Sequence, residues 1–91
     1  MLASFSIVPL GGSASLRQYV AEIVDLVDRS GLDYRLGAMQ TTVEGDRRAV
    51  MALIMKCHNH VAKKVPRVLT TIQIDDRQVV CHLFGEKGLS L

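Results

Sequence analysis

The stretch DYRLGAMQTTVE, residues 33–44, decides the fold. It is too short to hold a strand, a helix and a second strand. It therefore reads as two short strands with a bend near Gly37-Ala38, a β-hairpin. What lies on either side of that hairpin sets the rest of the architecture.

Upstream, Ser15 to Arg29 reads as a helix. Ser15 with Gln18 three residues on is a capping-box pattern. Leu16, Tyr19, Val20, Ile23, Val24 and Val27 form one wide apolar stripe, and Gly31 is placed to end the helix. Before it, Leu2 to Val8 reads as a strand. Ala3, Phe5 and Ile7 share one face and Ser4 and Ser6 the other, and Pro9, with no N–H to give, is expected to end the ladder. Downstream, Gly45-Asp46 opens a second helix with Asp46 as N-cap. Val50, Leu53, Ile54, Cys57, Val61 and Val65 make its buried stripe, Lys63 and Lys64 suit its C-terminal dipole, and Pro66 stops it. Arg67 to Asp75, RVLTTIQID, is a β-branched strand.

The order is βαββαβ. With right-handed crossovers it predicts an α+β, ferredoxin-like sandwich: a four-stranded antiparallel sheet with two helices on one face. Residues 1–77 are expected to form this one domain, and residues 78–91 a C-terminal tail in which VVCHLF reads as a strand or a short helix. The second sheet face has no helix left to cover it. Ser4, Ser6, Leu69, Thr71 and Gln73 belong to it. From the hairpin, either Thr41 and Val43 or Gln40, Thr42 and Glu44 join them.

Composition agrees with one small domain that has a surface to spare. Of 91 residues, 48% are hydrophobic and the mean hydropathy is +0.21, an aliphatic surplus for so small a core. A subunit interface is the simplest use for it. The net charge is +2 with both signs mixed, which points to neither nucleic acid nor a membrane surface. No apolar run has membrane-spanning length. The N-terminus lacks a basic leader region, and two cysteines, Cys57 and Cys81, make no disulfide framework, so a cytoplasmic protein with free thiols is expected.

The candidate chemistry is sparse. LGGSASL is neither a dinucleotide fingerprint nor a P-loop; its glycines suit a turn and Ser15 a helix cap. In KCHNH, residues 56–60, His58 and His60 do not share a helix face, and Cys57 with His60 supplies only two ligands, so no metal site is assigned. No nucleophile stands beside an evident base, and Asp75-Asp76 reads as a polar strand end, so no catalytic residue is assigned. An RNA-recognition reading lacks its stacking aromatics. Thr41-Thr42-Val43-Glu44 remains. Its hydroxyls and carboxylate can read a heterocycle edge that carries donors and acceptors, or Glu44 can be a solvated strand end.

Three stretches together carry a resemblance: VPLGGSASLRQYVAEIV (8–24), GAMQTTVEG (37–45) and RVLTTIQIDDR (67–77). Their order and spacing resemble the small thiamine-binding protein family, grouped with YkoF-like proteins and formerly of unknown function. The match runs from Met1 to about Arg77. It departs at Gln40-Thr41-Thr42, where the family often has glycine or small residues before its threonine. It departs again after Arg77, where the family usually continues into a charged helix.

The resemblance implies a non-enzymatic domain that binds thiamine or its hydroxymethylpyrimidine moiety, without a cofactor. It also implies homodimers or homotetramers formed through the sheets. The resemblance locates motifs and not contacts; with such a ligand, Glu44 would be the charged or ring-nitrogen partner, and Thr41 or Thr42 would address the amino group. Ser13 or Ser15 would reach the hydroxymethyl or hydroxyethyl end, and Met39 and Tyr19 would supply apolar walls. The alternative is a structural or regulatory oligomeric domain with no pyrimidine ligand.

Overall fold

The computed structural model describes residues 1–12 and 15–77. Six elements follow one another: β1 (Leu2–Leu10), α1 (Leu16–Arg29), β2 (Asp33–Leu36), β3 (Thr41–Glu44), α2 (Arg47–Ala62) and β4 (Arg67–Asp75). The strands form one antiparallel sheet in the order β2-β3-β1-β4, the ferredoxin-like arrangement that right-handed crossovers give to this element order.

The hairpin forms as the 33–44 stretch predicts. The Gly37 N–H donates to the Gln40 carbonyl at 2.9 Å and closes the loop between β2 and β3. Both helices start on the expected caps. The Ser15 hydroxyl accepts from the Gln18 N–H at 3.3 Å, and Asp46 accepts from the N–H groups of Arg48 and Ala49 at 3.1 and 3.4 Å. Each bond satisfies a donor that the first helical turn leaves open.

Residues directly opposite one another on paired strands share a face. Ala3 stands between Val43 and Ile74, and Phe5 between Thr41 and Ile72. Ala3, Phe5 and Val43 pack in one core with Tyr19, Ile23 and Val27 of α1 and with Val50, Leu53, Ile54, Cys57 and Val61 of α2. The whole apolar stripe of α2, with Val65 behind it, is buried as its periodicity predicts. On the opposite face, Ser4 stands between Thr42 and Gln73, and Leu2 between Glu44 and Asp75. The parity that the sequence leaves open is thus decided. Thr42 and Glu44 belong to the open face, and Thr41 and Val43 to the helix side.

Two expectations are corrected. β1 does not stop at Val8 but runs on through Pro9 to Leu10, with Pro9 opposite Val68. Beyond Phe5 it has β4 as its neighbour but no longer β3, and a strand with one open edge can hold a proline without losing a ladder bond. The α1 stripe is also narrower than predicted: Leu16 and Val20 are exposed. β2 and β3 are four residues each against nine for β1 and β4, so the sheet has no hairpin strand beneath the first turns of α1.

Gly11 and Gly12 make the turn from β1 towards α1. Gly11 has φ +83°, a conformation that costs glycine little. A Cβ on Gly12 would sit 2.5 Å from Val65 Cγ1 and 3.1 Å from the Tyr19 hydroxyl oxygen. Gly12 is therefore small because core side chains press against it.

Candidate functional site

On the open face, pairing aligns two rows across β3, β1 and β4. One row is Thr42, Ser4 and Gln73; the next is Glu44, Leu2 and Asp75. Neighbouring strands lie about 4.8 Å apart, and residues two apart along a strand about 6.7 Å. These groups therefore fall within the span of one small heterocycle and its substituent. Leu2, Ser4, Thr42, Gln73, Ile74 and Asp75 line a concavity of about 320 Å³ here. Leu2 supplies an apolar floor, and the side chains around it accept and donate hydrogen bonds.

Glu44 stands at the border of this concavity, opposite Leu2, and is only 7% exposed. It is the one buried charged residue of the described chain. It closes β3 where the strand meets the N-terminal segment: the Met1 amino group donates to the Gly45 carbonyl at 2.9 Å, and the Gly45 N–H to the Met1 carbonyl at 3.1 Å. Ser4, at the centre of the first row, donates its hydroxyl proton to Gln40 Oε1.

The structure brings together some of the residues singled out from sequence and separates others. Thr42 and Glu44 meet on the open face. Thr41 and Met39 line a different cleft of about 330 Å³, on the helix side, between the hairpin loop and Leu16 and Val20 of α1. Met39 is 88% exposed there. Ser15 is engaged as the cap of α1. Tyr19 is 3% exposed and lies in the core beneath Gly12. Ser13 lies outside the described residues, as does the tail at 78–91.

Sequence reasoning passes over Leu2 as a floor and Asp75 as a wall. Both follow from parity, since Leu2 is one residue from Ala3 and Asp75 three from Ile72. The open-face hydroxyls and Gln73 are legible by the same alternation.

The cysteine and the two histidines of KCHNH are each engaged elsewhere. Cys57 is fully buried, and burial pushes its thiol up to about 11. His58 Nδ1 meets Thr70 Oγ1 at 2.6 Å. His60 Nε2 meets Glu22 Oε1 at 2.7 Å, and Lys64 donates to the same oxygen. These bonds, Lys64's first and His60's second, hold the Glu22 carboxyl below the usual carboxylate range. They tie α2 to α1 on the side away from the concavity. Among the described residues no three His, Cys, Asp or Glu side chains are grouped to hold a metal ion, and no helix is long and apolar enough to cross a membrane.

Comparison with known proteins places this chain in a family. The family model described as thiamine-binding protein matches residues 3–87, reaching past Arg77. The UPF0045 protein Mb1933 of Mycobacterium bovis is 36% identical over 88 residues, covering 96% of this chain and 86% of its own. The UPF0045 protein MJ1052 of Methanocaldococcus jannaschii is 32% identical over 78 residues, covering 86% and 78%. Its crystal structure superposes with a TM-score of 0.77. A domain of unknown function from Bacillus cereus superposes with a TM-score of 0.84 at 27% identity, over 96% of this chain and 85% of that one. A Thermotoga maritima protein provisionally assigned to thiamine biosynthesis or salvage shares the fold, with a TM-score of 0.73 at 21% identity over 84% and 82% of the two chains. With the family model spanning most of the chain and relatives aligned along nearly all of it, this protein belongs to the thiamine-binding protein family.

Proposed function

We propose that the protein binds thiamine or its hydroxymethylpyrimidine moiety without transforming it, as a homo-oligomer in the cytoplasm, and that the open-face concavity holds the pyrimidine. The observation that carries this reading is the pairing of Thr42, Ser4 and Gln73 with Leu2 and Asp75 around one recess, with Glu44 at its border. A flat aminopyrimidine needs an apolar surface beneath it and polar groups at its edge, and a small concave site with few placed polar groups supplies both. Carboxylates nearby favour the cationic thiazolium. Family membership supports a binding role over a catalytic one.

The oligomer draws support from the same face. Beyond the concavity, Val8, Leu10 and Leu69 are exposed on the open side of the overhanging β1–β4 ribbon. An apolar strip continuous with a polar recess suits packing of sheet on sheet, in a dimer or tetramer. The same strip favours the second reading, an assembly domain that ignores pyrimidines.

Titration calorimetry with thiamine and with hydroxymethylpyrimidine separates the two. Heat of binding is expected with both, and Glu44→Gln should weaken it far more than Glu22→Gln, which lies on the helical layer. Absence of heat at millimolar ligand, or equal effects of the two substitutions, would overturn the reading. Sedimentation should give a dimer or tetramer, and a clean monomer contradicts the interface.

A further inference from the structure

Gln40, whose carbonyl closes the loop between β2 and β3, has a specific side-chain partner. Gln40 Oε1 accepts the hydroxyl proton of Ser4, the central side chain of the first row of the recess. A serine hydroxyl has one proton and two acceptor lone pairs. With its proton committed to Gln40, Ser4 offers an incoming ligand only acceptor capacity. Asp75 on the recess wall is a carboxylate, which also only accepts when ionised. Ser4 and Asp75 thereby form an acceptor array on the recess.

Resting on the thiamine reading above, we propose that Gln40 is a positioning residue that makes the site select a 4-amino pyrimidine over its 4-oxo counterpart. It acts through Ser4. An exocyclic amino group has two protons to give to this array. A ring carbonyl in the same place has none, and it would set an oxygen against the Ser4 oxygen. For the carbonyl to be accepted, Ser4 must turn its proton inward and leave Gln40 without its bond. Sites built around a donor reject the analogue that lacks it, because their own polar groups are then left unpaired. The flanking Thr42 hydroxyl and Gln73 amide can both donate and accept, so they orient the ring without setting the preference.

The test compares thiamine with oxythiamine, its 4-oxo analogue, by titration calorimetry on the full chain. Both carry the same thiazolium cation, so the ratio of their affinities isolates the exocyclic group. Wild type should bind thiamine at least about tenfold more tightly. Gln40→Ala releases the Ser4 proton, and the ratio should fall at least about threefold. Gln40→Glu keeps an acceptor for Ser4 and should keep the ratio, even if its added charge strengthens both ligands. Equal affinity for the two ligands in wild type overturns the inference and leaves the thiamine reading standing. So does a Gln40→Ala ratio unchanged within twofold. Failure of wild type to bind thiamine overturns both. Should Gln40→Ala not fold, Ser4→Ala gives the same decision: it removes the acceptor, and an unchanged ratio refutes the role assigned to the pair.

Discussion

Replacing Gly12 by alanine puts a methyl carbon 2.5 Å from Val65 Cγ1. Carbon atoms in contact prefer about 3.5–4.0 Å, so the pair must open by about 1 Å. Val65 cannot give way cheaply, because it is a β-branched residue with a stiff χ1 and is buried in the core. The backbone adds nothing to the cost: the glycines with positive φ are Gly11 and Gly31, and Gly12 is not among them. Overpacking on this scale costs about 1–3 kcal/mol. A loss of about 2 kcal/mol in a domain of this size lowers Tm by about 8–16 °C.

The sharper measurement is a double-mutant cycle with Val65→Ala. Trimming Val65 alone opens a cavity, but in the double variant the methyl added at position 12 moves into the space that Val65 vacates. The double variant should therefore be more stable than the sum of the singles by about 1 kcal/mol or more. Urea midpoints at one fixed protein concentration read this directly, since any partner copy links stability to concentration. Additivity within about 0.5 kcal/mol would refute the contact. The same variant tests function: folded Gly12→Ala should bind thiamine as wild type does. Lost binding at unchanged stability would return the glycine turn to the binding site and overturn the open-face assignment.

Other expectations follow from the helical layer. Ile54→Ala removes a fully buried side chain between α2 and the sheet and should cost about 2–5 kcal/mol in chemical denaturation; a loss below about 1 kcal/mol would mean the core collapses around the gap. Lys64 and then His60 depress the Glu22 carboxyl, and a carboxylate with a lowered folded pKa adds stability above its unfolded pKa and loses it as pH falls through the folded one. Glu22→Gln should thus be less stable than wild type at neutral pH, and the two should converge in acid; a gap that stays constant with pH would contradict the clamp. The Cys57 thiol, pushed up to about 11 by burial, should resist iodoacetamide at pH 8 in the native protein and react once unfolded. Mass spectrometry of the Cys57 peptide, read apart from Cys81, checks this, and native labelling would refute it.

The sequence makes the fold legible because each element carries two independent signals. α2 has its Asp46 cap and a stripe at helical spacing, and both hold. β4 has β-branched residues and a proline before it, and it spans Arg67–Asp75 as predicted. The failures fall where one signal stands alone. Pro9 is judged by its missing N–H, but whether that matters depends on whether β1 has a neighbour on that side, and β3 begins only at Thr41, opposite Phe5. Leu16 and Val20 are judged by period, which cannot register that they border an open cleft facing the hairpin loop.

The site is half legible for the same physical reason. Alternation assigns Ser4 and Gln73 to the open face, because Phe5 and Ile72 anchor their strands in the core. In TTVE alternation fixes only which residues go together, Thr41 with Val43 and Thr42 with Glu44, and leaves open which pair faces the helices. What decides between them is the register of β3 on β1, Phe5 opposite Thr41 and Ala3 opposite Val43, a tertiary fact. A shift of one residue would reverse every side chain of the strand, sending Val43 to the open face and Glu44 into the hydrophobic core. Burying a charge among Ala3, Phe5 and Ile54 costs far more than leaving a valine exposed. The register that protects the core is therefore the one that brings Glu44 to the edge of the recess, and the position of the carboxylate comes from packing on the other side of the sheet.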